Sequence, residues 1–203
     1  MATAVKTKPR AGSILSDEEF EAFVAGRPHG ERWQLIDGEA VMMTLPRLRH
    51  QRIAGNLAMR LNVHFETQSK PLYAFHEVGL MAPGVKRFRP TADLAVVPDA
   101  VDPATIWADR FLLAGEVPSD SNTAKQIERK RRNYMQHPDN LYVLIMAQEK
   151  PSIEVWARRK DWKLFELTDL DDTLELPELG FSTTLRRIYA GTSAAPPLNQ
   201  SPP

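Results

Sequence analysis

The 203-residue chain contains no cysteine, which removes disulfides, thiolate zinc sites and cysteine nucleophiles together. Any metal must then be held by oxygen or imidazole, and such a chain suits a reducing, cytoplasmic setting. Net charge is also lacking: 26 basic and 26 acidic side chains cancel, so no overall field attracts a polyanion, and contact with nucleic acid would rest on local clusters. No stretch approaches the ~20 apolar residues that a membrane helix needs, and MATAVKTKPRAGS at the amino terminus has no apolar signal-peptide core, so no membrane partner is expected. No internal repeat suggests a solenoid.

What is present reads as one domain. Residues 1–12 and the small, Pro-rich segment 191–203 have little to bury and are expected to be disordered, leaving a folded body over 13–190. Ser16 with Glu19 three positions on forms a helix-capping signature, flanked by Leu15 and Phe20 as a hydrophobic staple, so a helix should run to about Ala25. Asp37-Gly38 between two apolar runs predicts a type I′ hairpin over 33–43. Ile53, Leu57 and Leu61 at four-residue steps predict a long amphipathic helix from about Arg49 to Glu66.

Short apolar runs at 72–77, 79–81, 92–97, 111–117 and 141–147 predict strands, several of them covered on both faces. A polar helix should begin at caps among Ser119 to Ser121 and end near Gln136. A hairpin-like pair at 153–157 and 162–167 and a terminal helix over 184–189 complete the pattern. The expected class is α/β (α+β): a mixed β-sheet flanked by helices.

Two acids lie in apolar surroundings, Asp93 at the start of one strand and Glu116 near the end of another. Carboxylates are seldom buried unpaired, and a shared cation would account for both. Mg²⁺ takes oxygen ligands and commonly one or two protein carboxylates, with water and phosphate completing its shell; the backbone carbonyl of Val117 offers a third oxygen. Lys130, on the following helix, is the candidate for orienting a water or offsetting charge in a transition state. Each residue also has a structural reading. Asp93 would serve as a turn or cap, Glu116 as partner to Arg89 or Arg110, and Lys130 as part of a solvated face with a Glu128–Arg132 pair.

His50, within Arg47-Leu48-Arg49-His50-Gln51-Arg52, is a possible accessory residue that would touch a phosphate or act as an acid, or else simply pack. The other histidines have no metal-ligand spacing. Basic residues gather as Arg47, Arg49 and Arg52; as Lys86, Arg87 and Arg89; and as Lys125 with Arg129, Lys130, Arg131 and Arg132. On one side of the fold they would track phosphates; scattered, they are solubility charge.

With these residues in view the sequence resembles the Uma2 family of endonucleases, a branch of the PD-(D/E)XK restriction-endonuclease-like superfamily. Gln34-Leu35-Ile36-Asp37-Gly38-Glu39 is similar to the family's ELIDGE hairpin, and Arg49-His50-Gln51-Arg52-Ile53 to its RHQRV helix start. The segment 89–97 looks like the strand bearing the first acid, and Gly115-Glu116-Val117-Pro118-Ser119 like the VEILSPS segment bearing the second. Lys130 and Tyr134 match the K-x-x-x-Y of the next helix, and 140–145 resembles the EYWIVD strand.

The resemblance implies a restriction-endonuclease-like core, a divalent-metal site (Mg²⁺, or Mn²⁺) at Asp93 and Glu116, a lysine from the following helix, cleavage of DNA phosphodiesters and often a homodimer. In most of the superfamily the lysine follows the acid by two residues; Pro118 holds that place here, consistent with relocation to Lys130. Gln34 and Gln126 stand where the pattern carries acids, Ala92 replaces the proline before the first acid, and the aspartate ending EYWIVD is lost near Met146 and Ala147. Gln34 and Gln126 are therefore accessory positions at most. The alternative expectation is a weak or inactive nuclease fold acting as a nucleic-acid-binding or dimerising module.

Overall fold

The computed structural model describes residues 14–119 and 122–195. The expected tails over 1–12 and from 196 onward lie outside the described residues, as does Ser121. Residues 191–195 do not continue the tail. Gly191, at φ +74°, turns the chain back so that Ala195 bridges Ala190 and is only 2% exposed, which carries the folded body past 190.

Helix α1 (Asp17–Ala25) begins with the expected reciprocal cap: Ser16 Oγ accepts from the N–H of Glu19 at 3.2 Å, and Glu19 accepts from that of Ser16 at 2.7 Å. Leu15 and Phe20 bury together beside it. Strands β1 (Trp33–Ile36) and β2 (Glu39–Met42) are joined through Asp37 and Gly38, at φ +50° and +86°, the two positive values a type I′ turn needs. Helix α2 (Leu48–Thr67) buries Ile53, Leu57 and Leu61 completely. Burial of each such side chain stabilises by about 1.5–3 kcal/mol.

Strands β3 (Leu72–Leu80), β4 (Thr91–Pro98), β5 (Trp107–Ala108) and β6 (Leu113–Glu116) precede helix α3 (Ala124–Gln136). Strands β7 (Tyr142–Met146), β8 (Ile153–Ala157), β9 (Leu164–Leu167), β10 (Thr173–Leu176) and β11 (Phe181–Thr184) and the short helix α4 (Leu185–Ile188) follow. One seven-stranded sheet runs β5-β3-β4-β6-β7-β8-β9, parallel at β3/β5 and β6/β7 and antiparallel elsewhere. One face packs on α2, α4 and the β10–β11 hairpin; the other carries Tyr134 of α3 with Phe88 and Phe111. The mixed sheet with helical flanks is the expected class.

Three local expectations change. The two short strands predicted at 72–77 and 79–81 are one strand, passing through Glu77 at φ +46°. Helix α3 is capped by Thr123, whose Oγ1 accepts from the N–H of Gln126 at 3.2 Å while Gln126 accepts from that of Thr123 at 2.9 Å, so the cap falls later than Ser119. The β10–β11 hairpin sits where no strands were predicted, because alternation over four residues each, interrupted by Pro177, is too brief a signal.

Candidate active site

Strands β4 and β6 pair through Val96–Leu113, Ala95–Ala114 and Leu94–Gly115, and there the ladder ends. The next residue on each strand is an acid, Asp93 on one and Glu116 on the other. Gly115 lets the strands close up: a Cβ there would stand 3.3 Å from both Leu94 Cβ and Met146 Cε. Where ladder bonds would have continued, Asp93 Oδ2 accepts the backbone N–H of Val117 at 2.7 Å. The two acids are brought together because the strands part at them.

Lys130 arrives from the facing helix. Its ammonium donates to Glu116 Oε2 at 2.6 Å and to the carbonyl of Thr91 at 2.7 Å, and the residue is 4% exposed. Tyr134, one turn along α3, donates its hydroxyl to Glu116 Oε1 at 2.7 Å. The hairpin turn fixes the helix, with Asp37 accepting from Asn133 at 2.7 Å and Arg132 at 3.0 Å. Lys130 is thus no part of a solvated face, and Arg132 pairs with Asp37 rather than Glu128. The anticipated arginine partners of Glu116 are engaged elsewhere, Arg89 with Asp17 at 3.2 Å and Arg110 with Asp139 at 3.0 Å.

His50, near the start of α2, places Nε2 3.3 Å from Asp93 Oδ1, while its buried Nδ1 has no hydrogen-bond partner. Gln34 lines the same cleft and accepts the N–H of Thr91 at 3.4 Å. Gln126 does not line it; its side chain serves the α3 cap.

Glu77, to which no role was assigned from sequence, also lines the cleft. It is held by Arg32 at 2.9 Å and Gln51 at 3.1 Å, and it interrupts the β3–β4 ladder opposite Asp93: 76 pairs with 94 and 78 with 92. A left-handed backbone at a non-glycine strand residue costs of order 1–3 kcal/mol. Nothing in His76-Glu77-Val78-Gly79 marks that distortion in advance.

The local field separates the acids. Burial drives the Glu116 carboxyl up, assisted by Asp93 and opposed by Lys130 and Tyr134, to about 7. Burial also pushes Asp93 upward, but the hydrogen bond from His50, the charges of Lys130 and His50 and the N–H of Val117 outweigh it and hold Asp93 below its usual value. For His50 burial lowers, and Asp93 with Glu116 more than reverses it, leaving the imidazole raised. Tyr134 is pushed well up by burial and by Glu116. Neighbouring carboxyls driven in opposite directions, one up and one down, are the pattern of acid–base chemistry.

Among the described residues no three His, Asp or Glu side chains group as a metal cage. Two carboxylates remain, with each oxygen engaged by a single close donor and so retaining lone-pair capacity, whereas Val117 does not line the cleft and its backbone oxygen interacts with His50. Hard oxygen donors in this number fit Mg²⁺, which keeps several waters, better than a metal enclosed by side chains. The cleft has room for them, at about 70 Å³.

The basic residues are dispersed in use. Arg89 is 9% exposed and anchors α1 through Asp17. Arg129 pairs with Asp37 and Glu39, Arg131 lies 4.0 Å over the Trp156 ring, and Arg49 binds Gln148 and Glu149. Arg52 sits against Gly191, whereas Arg47 lines a second cavity beside the cleft. No helix among the described residues is long and apolar enough to cross a membrane.

Comparison with solved structures finds the same fold in a crystal structure described as "a putative nuclease belonging to DUF820 from Anabaena variabilis ATCC 29413". The TM-score is 0.72 at 12% identity, covering 86% of this chain and 97% of that one. Comparison with curated proteins gives no significant match. The Uma2 family model, described as "Putative restriction endonuclease", matches residues 17–186. Because that match takes in nearly all of the folded body, including Asp93, Glu116 and Lys130, the chain belongs to the Uma2 family.

Proposed function

We propose that this protein is a Mg²⁺-dependent endonuclease that hydrolyses phosphodiester bonds of DNA, with Asp93, Glu116 and Lys130 as its working groups. The observation that carries the reading is that two strand-end carboxylates line one cleft with a buried lysine supplied by a separate helix, which donates to Glu116 at 2.6 Å. Asp93 and Glu116 would hold the ion. When bound, Mg²⁺ supplies Lewis acidity toward a phosphoryl oxygen and lowers the pKa of water.

The chain's own residues do the rest. Lys130 balances the carboxylate charge and presents a cation toward the extra negative charge that develops as phosphate is attacked. Tyr134 fixes Glu116 in one orientation, and Val117 N–H does the same for Asp93. His50, beside Asp93 with a second nitrogen unpartnered, is placed to hold or move a proton at the cleft. Glu77 adds a third carboxylate to the cleft wall, held in place by Arg32 and Gln51.

Incubating supercoiled and linear DNA with the protein in Mg²⁺ or Mn²⁺ tests this. Nicking or cutting should appear and should fall at least about a hundredfold in Asp93→Asn and in Glu116→Gln, the scale of losing one preorganised electrostatic group. Cleavage that survives both substitutions would refute the assignment. A second reading, a nuclease fold retained for binding nucleic acid or a second copy without turnover, draws on Gln34 and on both Glu116 oxygens already having donors. It predicts binding of DNA without cleavage.

A further inference from the structure

A second cavity, of about 410 Å³, adjoins the cleft and shares Ser119 with it. That size falls within the roughly 300–1,000 Å³ of small-ligand sites. Strand register relates two of its lining residues to the reacting centre: Glu116 pairs with Ile145, Ile145 with Glu154, and Glu154 with Glu166. Side chains directly opposite across a sheet share a face, so Glu154 and Glu166 stand two and three strands from Glu116, roughly 10 and 14 Å at the usual strand spacing.

Two glutamates directly opposite one another repel. Neither has a cationic partner among the described residues, and each is tethered through one oxygen. Glu154 Oε2 accepts from the Trp156 indole at 3.3 Å and Glu166 Oε1 from the Ser152 hydroxyl at 3.0 Å. The second oxygen of each has no hydrogen-bond partner among the described residues. The cavity therefore combines apolar surfaces from Pro118, Ile145 and Ala147 with two oriented acceptors, while Arg47 and Lys150 are its cations.

We infer that this cavity receives the base of the nucleotide next to the scissile phosphate, and that it favours bases with a donor edge, guanine first and cytosine second. Carboxylates accept only, and guanine offers an N–H and an amino group side by side, whereas thymine offers a single N–H between two carbonyls. The acids that would repel a phosphate are suited to a base, and Lys150 is suited to a flanking phosphate. A base in a side cavity has left its stack, so the substrate class is single-stranded nucleic acid or a strand locally opened. This rests on the nuclease reading for the position of the phosphate, but it makes a separate claim about binding.

Fluorescein-labelled pentanucleotides TTGTT, TTCTT and TTTTT, titrated with the full chain in Ca²⁺ at low salt, test it. The guanine oligonucleotide should bind roughly tenfold more tightly than all-thymine, a factor at the low end for one good bidentate base contact. The Glu154→Gln/Glu166→Gln double variant should keep its affinity for TTTTT and lose the preference, with a melting temperature no lower than the original showing that it folds. Equal affinities in the unaltered protein, or a preference that survives in the double variant, overturns the inference. So does loss of Mn²⁺ binding in that variant, which would mark the cavity as a cation site. Cleavage of TTGTT in Mg²⁺, followed in parallel, separates the two ideas: guanine preference without cleavage sinks only the nuclease reading, and cleavage without preference sinks only this one. If no pentanucleotide binds, this inference falls, while the nuclease reading stands or falls on the supercoiled and linear DNA.

Discussion

Replacing Lys130 with methionine keeps the apolar stem in the core and deletes only the ammonium. That group makes bonds of 2.6 Å to Glu116 and 2.7 Å to the Thr91 carbonyl, with Lys130 and Glu116 only 4% and 3% exposed. Removing one partner from such a buried pair costs about 3–5 kcal/mol. For a domain of this size each kcal/mol moves the melting temperature by about 2–4 °C, so Lys130→Met should melt roughly 6–20 °C lower at pH 8.

The deficit should depend on pH. Glu116 already sits near 7, above its ordinary 4.5, and without Lys130 it rises further. A carboxyl with a raised folded value contributes stability that is fully present below its unfolded value and is lost as pH climbs through the folded one. At 1.36 kcal/mol per pH unit, unmodified protein stops losing stability near pH 7 while the variant goes on losing it, so the deficit should widen by about 1 kcal/mol between pH 5.5 and 8.

Adding Glu116→Gln to Lys130→Met removes the stranded charge and should restore at least about 2 kcal/mol, whereas independent sites add to within about 0.3–0.5 kcal/mol. Urea unfolding followed by circular dichroism at both pH values measures all four proteins. Additive losses, or a Lys130→Met protein as stable as the original, would show that the pair is not the buried charge couple described.

Two further substitutions probe the same centre. Tyr134→Phe strips Glu116 Oε1 of its donor; we expect a loss of about 1.5–3 kcal/mol and an upward shift in the pH midpoint of cleavage, read from melting curves and a pH–rate profile. Glu77→Gly relaxes the left-handed backbone at φ +46°, so stability should stay within about 1 kcal/mol of the original despite the lost contacts to Arg32 and Gln51, while cleavage in Mg²⁺ falls. A Glu77→Gly protein that cleaves at the original rate would remove Glu77 from the site.

Those elements were legible in the sequence whose signals are local. The Ser16–Glu19 cap, the Asp37-Gly38 turn and the four-residue stripe of α2 each depend on neighbours within a few positions, and each formed as expected. Asp93 and Glu116 stood out because acids in apolar runs demand partners. The sequence singles out Lys130 for this site, chiefly through the resemblance, but residue chemistry alone leaves Arg89 and Arg110 open as partners of Glu116, because which cation meets it depends on how α3 docks, which Asp37 and Asn133 decide from far along the chain. Glu77 was hidden for the same reason, since its distortion arises opposite Asp93 in the ladder rather than from its own neighbours. Gln126 showed the converse, a residue prominent in a family pattern whose side chain here serves the cap of its own helix.

Because the ammonium and the carboxylate it neutralises belong to opposite layers, neither the sheet nor the helix owns the site. It exists only while α3 is seated on the strands. Gentle heating that loosens the layers should therefore extinguish chemistry before far-ultraviolet ellipticity declines, and a compact state with intact strands and helices but slack packing would be chemically silent. Turnover in this molecule would then report on tertiary order, a property that a lysine placed two residues beyond the acid, on the same strand, would not confer.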